Sequence, residues 1–433
     1  MSHLVFTETS GSGVHALACA KRAGHTVTYL YSPRYDFTAP PGRRALARRL
    51  ADHTGEIHGE RRAEDLVTAV RAAGARPGDV DAVLSTLAFG APLASALADA
   101  LGTRGTPVDG VAAARDKGRC RAMLREAGIP SLAFSVVRSE REALDAATDI
   151  GYPVIIKPAL GVGKAATSIA DGPAAVRGHF AGAAEELRTM PVGMSGHFDG
   201  RYLVEELAVG DLYSVEVASD GRSFVPLVSA ARKTGVDNPV LELGCSVPSG
   251  LGPAEEDELG AYAARVCRVL GLSLGVFHVE VMHTENGFRL IEANPRMAGG
   301  SLPETINAVS RRDIFGLLVD LFLGHPAPAG PLTLDAAASH SLLAAASART
   351  IRPDLPPHWF DAYLARVHSG WVRVAGGDRV DVMRGNFDTF GVIRTVAADA
   401  ERAQACCAAV KGDVERELGV PLLAENTRTL IRR

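Results

Sequence analysis

The stretch GVFHVEVMHTENGFRLIEANPRMAGGS, residues 275–301, decides how this sequence is interpreted. Two apolar, β-branched runs, Val276–Met282 and Gly287–Ala293, flank the polar residues 283–286, which have the composition of a tight turn. The pattern predicts an antiparallel β-hairpin.

Four polar side chains stand out on the predicted hairpin. Side chains alternate between the two faces of a strand, so Glu292, Asn294 and Arg296 share one face, and antiparallel pairing brings Glu280 beside them. Adjacent carboxylates repel unless a cation lies between them, and three oxygen ligands on rigid strands suit Mg²⁺ with nucleotide phosphates. Arg296 is suited to hold a phosphoryl or carboxylate oxygen. The alternative is a surface hairpin with solvated acids.

The composition is that of an ordinary soluble protein with several domains. A chain of 433 residues exceeds what one core usually supports, so we expect two or three domains. A net charge of −4 and a pI near 6.4 argue against nucleic acid as a partner. No signal-peptide pattern or membrane-spanning run appears, so we expect a cytoplasmic protein without a membrane partner. The six cysteines lack metal-ligand or disulfide spacing.

The first part of the chain alternates strand and helix patterns. Apolar runs at His3–Thr7 and Thr26–Tyr31 flank a helical stretch, and the alternation continues to about residue 110. This pattern predicts a doubly wound domain with a parallel sheet. The turn Ser10–Gly13 carries only a partial glycine pattern for dinucleotide binding. It is either an anion contact at a helix start or a plain tight turn.

The middle of the chain has the features of a phosphate-binding site. Lys117 begins a basic helix, where the helix dipole disfavours a cation, so it either serves an anionic ligand or is solvated. The buried strand at 151–158 ends in Lys157, and the small-residue loop ALGVGKAA follows. A lysine beside such a loop can neutralise phosphate, although the Walker spacing is absent. The run YLVEEL then ends near the paired acids Glu205 and Glu206.

Later segments yield fewer functional residues. Ser229–Gly252 is rich in glycine and proline and predicts a long irregular binding loop, in which Lys233 either contacts phosphate or is solvated. Glu304–Leu323 predicts a single helix, and PAPAGP at 326–331 predicts a linker. His278 shares a face with Glu280, and we expect it to be packed rather than to assist the site.

Four motifs in order resemble the ATP-grasp superfamily of carboxylate-amine ligases, most closely the L-amino-acid ligases. They are RDKGRCRAML, GYPVIIKPALGVGKAATSI, YLVEELAVGDLYSVEV, and FHVEV followed by RLIEANPRMAGG. The resemblance covers residues 1 to about 325. It implies a multi-domain α/β protein with a doubly wound parallel-sheet domain over 1–110, then ATP-grasp subdomains over 111–210 and 211–330 that hold the nucleotide between them. A small β-rich domain over 331–433 completes the implied organisation.

The resemblance also implies a role for each matching residue. Arg296 and Lys157 would be catalytic, with Arg296 stabilising the acyl phosphate or holding a substrate carboxylate. ATP would be bound by two lysines, a closing glycine loop and an adenine hinge, namely Lys117, Lys157, Gly161, Gly163, Glu205, Glu206 and Leu207. Mg²⁺, which Mn²⁺ can replace, would be held by Glu280, Glu292 and Asn294.

Two positions depart from the family pattern. Where many relatives carry a glutamate that binds the ribose, this chain has Leu212, so either Asp211 takes over that role or the ribose is held less firmly. Where amino-acid ligases often carry Gly-His, this chain has Gly244-Cys245, in a region that faces the amino-acid pocket. The acid and the amine therefore cannot be copied from those relatives.

The implied reaction forms an amide. A carboxylate attacks the γ-phosphoryl group of ATP, and an amine then displaces phosphate from the acyl phosphate, in a reaction governed by positioning and charge neutralisation. We expect small carboxylate and amine substrates and a homodimer. One alternative is an ATP-grasp carboxylase acting on bicarbonate or a purine intermediate. Another is a regulatory protein that binds ATP without turnover.

Overall fold

The structure is a computed structural model that describes residues 1–39, 41–58, 62–161, 163, 165–385 and 388–426. The first segment is a parallel sheet covered by helices, as predicted. Its strands are ordered β3-β2-β1-β4, and every neighbouring pair is parallel. Its elements are β1 (His3–Thr7), α1 (Val14–Arg22), β2 (Thr26–Tyr31), α2 (Pro41–Leu50), β3 (His53–Glu56), α3 (Ala63–Ala72), β4 (Ala82–Leu84) and α4 (Ala91–Leu101).

The second segment is a four-stranded antiparallel sheet with helices against it. Its strand order is β5-β8-β6-β7, so the two strands that carry the predicted phosphate and adenine residues, β6 and β8, are central neighbours. The elements are α5 (Val108–Arg115), α6 (Lys117–Glu126), β5 (Phe134–Val137), α7 (Glu140–Ile150), β6 (Val154–Pro158), β7 (Ser168–Ala170), α8 (Pro173–Thr189), α9 (Val192–Ser195) and β8 (Tyr202–Glu206).

The third segment contributes most of a nine-stranded sheet. Its antiparallel strands begin in the order β13-β12-β9-β10-β11, with the predicted hairpin at the edge. The elements are β9 (Asp211–Asp220), β10 (Phe224–Gly235), β11 (Glu242–Val247), α10 (Pro253–Leu270), β12 (Leu274–Thr284), β13 (Gly287–Asn294), α11 (Leu302–Asn307) and α12 (Ile314–Phe322).

The last segment extends the same sheet through β14, β18 and β16, while β19 pairs with β10. One sheet therefore runs across the boundary predicted near residue 330, and the division at that point stays a prediction. The elements are β14 (Ala337–Leu343), β15 (Arg349–Thr350), α13 (Asp361–Leu364), β16 (Ser369–Val372), β17 (Arg379–Val380), β18 (Gly391–Ala397), α14 (Ala400–Leu418) and β19 (Glu425–Asn426).

Two local predictions were wrong. The segment predicted as a long loop, 229–252, instead forms most of β10 and all of β11, which pair with each other. Position 244 in β11 requires glycine, because its φ is +150° and a Cβ atom there would come 2.1 Å from the carbonyl oxygen of His340. The helix predicted over 304–323 is split into α11 and α12, because Asp313 caps a new helix by accepting the backbone N–H of Phe315 at 3.0 Å.

Candidate active site

A cleft opens between the four-stranded sheet and the β12–β13 hairpin. Its empty volume is about 1230 Å³, part of which is open to solvent. Residues from both sheets line it, so the two segments form opposite walls, as the resemblance implied. The predicted site residues that line the cleft are Lys117, Lys157, Gly161, Gly163, Glu205, Glu206, Leu207, Glu280, Glu292, Asn294 and Arg296.

The hairpin has the register that the sequence predicted. Glu280 lies opposite Glu292, and His278 lies opposite Asn294, before a bulge shifts the pairing beyond Glu280. The two carboxylates and the Asn294 amide thus face one end of the cleft. Among the described residues, no cluster of three or more His, Cys, Asp and Glu side chains could hold a metal. Two carboxylates and an amide nevertheless fit Mg²⁺, which keeps waters and takes phosphate oxygens for its remaining positions.

Lys117 lies at the junction of three parts of the site. Asp116 caps helix α6 by accepting the backbone N–H of Arg119 at 3.0 Å, which fixes the first turn of the helix. The Lys117 Nζ atom lies 3.0 Å from Glu292 Oε1 and donates to the carbonyl oxygen of Gly161 at 3.1 Å. The lysine therefore connects the β12–β13 hairpin with the glycine loop, and it is not the solvated side chain of the alternative prediction.

Lys157 belongs to a buried group of three charges. Its Nζ atom donates to Glu205 Oε2 at 2.6 Å, and Arg121 Nε donates to Glu205 Oε1 at 2.5 Å. Burial lowers the pKa of Lys157. Burial alone would raise the pKa of Glu205, but the charges of Arg121 and Lys157 outweigh it, so this pKa lies below its usual value. Glu205 is therefore ionised at neutral pH.

Arg121 is a site residue that the sequence reasoning missed. Its side chain is 1% exposed, and Nη2 donates to the backbone oxygen of Ile291 on β13 at 2.8 Å. It thus connects the two walls of the cleft. Its position four residues after Lys117 was the available signal, since residues i and i+4 share one face of a helix.

The opposite end of the cleft is apolar and suits a flat ring. Leu132, Leu212 and Met282 belong to one buried cluster, and Ile155 and Ile291 also line this end. Glu206 and Leu207 lie at its edge, where Glu206 Oε2 accepts the backbone N–H of Ala133 at 3.2 Å. Within the described part of the chain, Asp211 does not line the cleft, whereas its neighbour Leu212 does. The proposed contact between Asp211 and the ribose therefore stays a prediction.

Arg296 lies at the charged end of the cleft, beside a buried histidine–glutamate pair. Its Nη1 donates to the carbonyl oxygen of Met297 at 2.7 Å, and Nη2 to Asn294 Oδ1 at 3.3 Å. Burial lowers the pKa of Arg296. Burial would also lower the pKa of His278, but the carboxylates of Glu216 and Glu280 raise it to about 9. His278 is thus packed, as predicted, and it also contacts a residue of the site.

The segment that was wrongly predicted as a loop contributes one carboxylate to the cleft, and this carboxylate is paired with an arginine. Arg232 on β10 forms an ion pair with Glu242 on β11, and Glu242 lines the cleft. Lys233 is neither solvated nor at the cleft. It is 2% exposed, donates to Ser341 Oγ at 2.8 Å and lies 3.4 Å from Glu425. Alternation along a strand sends these two neighbouring cations to opposite faces, which a loop prediction could not reveal.

Two further positions raised by the sequence are buried. Cys245 is 0% exposed, and its Sγ atom lies 3.3 Å from His340 Nδ1. The turn Ser10–Gly13 is closed by the Gly13 N–H, which donates to Ser10 Oγ at 3.0 Å. A ligand contact at this turn stays a prediction. Within the described ranges, no helix combines the length and the apolar character needed to span a bilayer.

The comparisons with known proteins match one part of the chain to a domain model and a larger part to a curated relative. Residues 150–304 match the family model of the ATP-grasp domain. Carnosine synthase 1 of Gallus gallus is 31% identical over 305 residues, which are 68% of this chain and 32% of that protein. Alignments with curated relatives cover between 32% and 62% of those proteins, so the chain spans less than two thirds of their length.

Solved structures share the fold over nearly the whole chain. An L-amino acid ligase from Bacillus licheniformis superposes with a TM-score of 0.73 and 15% identity, covering 98% of this chain and 99% of that one. Biotin carboxylase from Campylobacter jejuni has a TM-score of 0.67 and 17% identity, with 98% and 93% covered. At these identities the likeness concerns the fold alone.

Proposed function

We propose that this chain, which contains an ATP-grasp domain over residues 150–304, is an ATP-dependent carboxylate–amine ligase. It joins a carboxylate to an amine through an acyl phosphate and releases ADP and phosphate. Its substrates resemble amino acids. The similarity to carnosine synthase 1 supports this substrate class.

The observation that carries the proposal is the meeting of opposite charges at one end of one cleft. Lys117 and Lys157 come from the central segment, and Glu280, Glu292 and Arg296 from the hairpin and the residues after it. A triphosphate with Mg²⁺ needs both kinds of group within one site. The apolar end of the same cleft suits the adenine.

Each charged residue has a distinct task in the proposed reaction. Lys117 and Lys157 offset the phosphate charge, and Glu280, Glu292 and Asn294 hold Mg²⁺. When bound, the metal neutralises phosphate charge as a Lewis acid. Arg296 holds the carboxylate and then the acyl phosphate that forms from it. Its planar guanidinium suits both groups, since each presents paired oxygens.

The glycine loop protects the intermediate in this proposal. An acyl phosphate reacts with water, so the loop over Gly161 and Gly163 must close before the phosphoryl group moves. Gly163 has a φ of +73°, a conformation that glycine adopts without strain. Lys117 donates to the Gly161 carbonyl oxygen at 3.1 Å, so the lysine links the start of the loop to the charged end of the cleft. Use of Mn²⁺ in place of Mg²⁺ and assembly as a homodimer stay predictions.

A screen of substrate pairs tests the proposal. The purified full-length chain is incubated with ATP, Mg²⁺ and pairs of carboxylates and amino acids, and products are read by mass spectrometry together with ADP release. We expect an amide whose formation matches ADP release, and loss of both with Arg296→Gln.

Two outcomes would favour the other functions. ADP release that depends on bicarbonate but not on an amine would favour a carboxylase, whose fold this chain shares with biotin carboxylase. No ADP release with any acceptor would favour a protein that binds ATP without turnover.

A further inference from the structure

We propose that His278 and Glu216 act as one positioning unit that aligns the metal ligand Glu280 with the loop carrying Arg296. This inference rests on the proposed function, because it assigns a task within the same site. Neither residue lines the cleft among the described residues, so the pair acts through its neighbours and not on the substrate.

The first link runs from Glu216 through His278 to the metal site. His278 Nδ1 lies 2.5 Å from Glu216 Oε1, and His278 Nε2 lies 3.4 Å from Glu280 Oε1. The two ring nitrogens thus contact two different carboxylates. A hydrogen bond at one ring nitrogen fixes the orientation of the imidazole and so the position of its other nitrogen. Glu216 therefore determines where His278 contacts Glu280.

The second link runs from the same pair to the loop after β13. The other carboxylate oxygen, Glu216 Oε2, accepts the backbone N–H of Ala298 at 2.9 Å. The backbone N–H of His278 donates to the carbonyl oxygen of Arg296 at 2.9 Å. The loop between Arg296 and Ala298 is therefore held at both ends by the two members of the pair.

The strand register explains how one pair reaches both places. His278 on β12 lies opposite Glu216 on β9 and opposite Asn294 on β13, which forms one polar row across three strands. Glu280 and Glu292 belong to the next row on the same face. The unit thus lies one row behind the metal ligands.

Packing alone does not account for a hydrogen-bonded histidine–carboxylate pair at this depth. Glu216 is 1% exposed and His278 is 4% exposed, whereas their neighbours on the opposite face, such as Val215, Val217 and Val279, form an apolar cluster. Burying charged groups costs free energy, and apolar residues of similar volume often serve stability equally well. A buried polar pair that contacts both Glu280 and the Arg296 loop is explained by positioning.

Nucleotide binding gives a test that does not depend on finding the substrates. ADP binding to the full-length chain is measured by calorimetry with and without Mg²⁺, for wild type, Glu216→Gln and His278→Gln. We expect ADP affinity without Mg²⁺ to stay within about twofold of wild type. We expect the gain in affinity that Mg²⁺ brings to fall about tenfold or more in each variant, as for other residues that orient metal ligands.

The double variant and a packing control make the result specific. Since the two residues act as one unit, Glu216→Gln with His278→Gln should lose no more than either single change. Val217→Ala, the next residue on β9, removes packing on the opposite face and should keep the Mg²⁺ gain. If a single variant does not fold, replacing both residues by Leu leaves no lone buried charge and gives the same readout.

The outcomes separate this inference from the proposed function. The positioning role would be overturned if Mg²⁺ raised ADP affinity in both single variants as much as in wild type. It would also be overturned if Val217→Ala reduced this gain in affinity as much as the single variants do. If no substrate pair yields an amide but the Mg²⁺ gain falls as expected, the proposed reaction fails while the positioning role stands.

Discussion

Arg121→Met provides the sharpest test of how the cleft is held together. The substitution removes a cation that is 1% exposed and lies 2.5 Å from the equally buried Glu205. It also removes the bond from Arg121 to the Ile291 carbonyl oxygen on the opposite wall. Breaking a buried pair costs about 3–5 kcal/mol. Because Lys157 still pairs with Glu205, we expect the lower end, about 3 kcal/mol.

Thermal unfolding measures this cost. For a cooperative unit of about 150–250 residues, 1 kcal/mol shifts Tm by about 2–4 °C, so the expected loss is about 6–12 °C. Arg119→Met, on the exposed side of the same helix, is the matched control and should change Tm by no more than about 2 °C. A Tm for Arg121→Met within that margin would refute the account of the buried charges.

A double-mutant cycle separates the ion pair from general damage to the helix. Glu205→Gln leaves Arg121 and Lys157 as neighbouring buried cations, so it should be at least as harmful as Arg121→Met. The double variant should be less destabilised than the sum of the single changes, by about 1–3 kcal/mol. Additive losses would mean that Arg121 and Glu205 do not interact.

The acid side of the stability profile gives an independent check. The pKa of Glu205 in the fold lies below its ordinary value, because the charges of Arg121 and Lys157 outweigh its burial. Its stabilising contribution is therefore present above the unfolded pKa, about 4.3, and is lost as the pH falls through the folded pKa. Without Arg121 the folded pKa rises, so this loss should begin at a higher pH.

Three further changes have defined outcomes. Gly163→Ala places a side chain at a φ of +73°, which costs about 1 kcal/mol and should lower turnover about fivefold. The control is Gly182→Ala, where no atom lies within 4 Å of the added Cβ atom, and it should leave turnover unchanged. Glu292→Gln removes one carboxylate charge from the proposed metal site and should raise the half-saturating Mg²⁺ concentration about tenfold, measured by steady-state ADP release. Asp220→Asn should flatten the fall of Tm between pH 4 and 2, because backbone N–H groups hold the pKa of Asp220 at about 2. The contribution of Asp220 to the stability of the fold is present above its ordinary pKa and disappears as the pH falls toward 2. An unchanged dependence of Tm on pH in this range would contradict this.

The sequence predicted the hairpin well because its pattern is strictly local. Alternating apolar residues and a polar turn determine a two-stranded register, and the observed pairing of Glu280 with Glu292 is the predicted one. The parallel sheet at the start was equally accessible, since strands and helices alternate there with short turns. The ATP-grasp fold that the motifs implied is borne out by the family match and the shared folds.

The charged network around the cleft was harder to predict, because it depends on contacts between distant segments. Arg121 lies 84 positions before Glu205 in the sequence, and its spacing of four residues from Lys117 is the local feature that separates it from the exposed Arg119. The positions of Arg232 and Lys233 could not be predicted, because both lie in a glycine-rich segment that has the composition of a loop. Gly244 in this segment is required because the neighbouring backbone leaves no room for a Cβ atom. Such a glycine belongs to a packed sheet and not to a loop, and composition does not distinguish the two.

Oxygen transfer from the carboxylate substrate to phosphate tests the central claim most directly. A carboxylate labelled with ¹⁸O is joined to its amine by the full-length chain with ATP and Mg²⁺, and the released phosphate is examined by ³¹P NMR. Formation and aminolysis of an acyl phosphate transfer one carboxylate oxygen to phosphate. We therefore predict one ¹⁸O atom in each phosphate released and ADP as the other product. Unlabelled phosphate, or label recovered in AMP, would contradict the account.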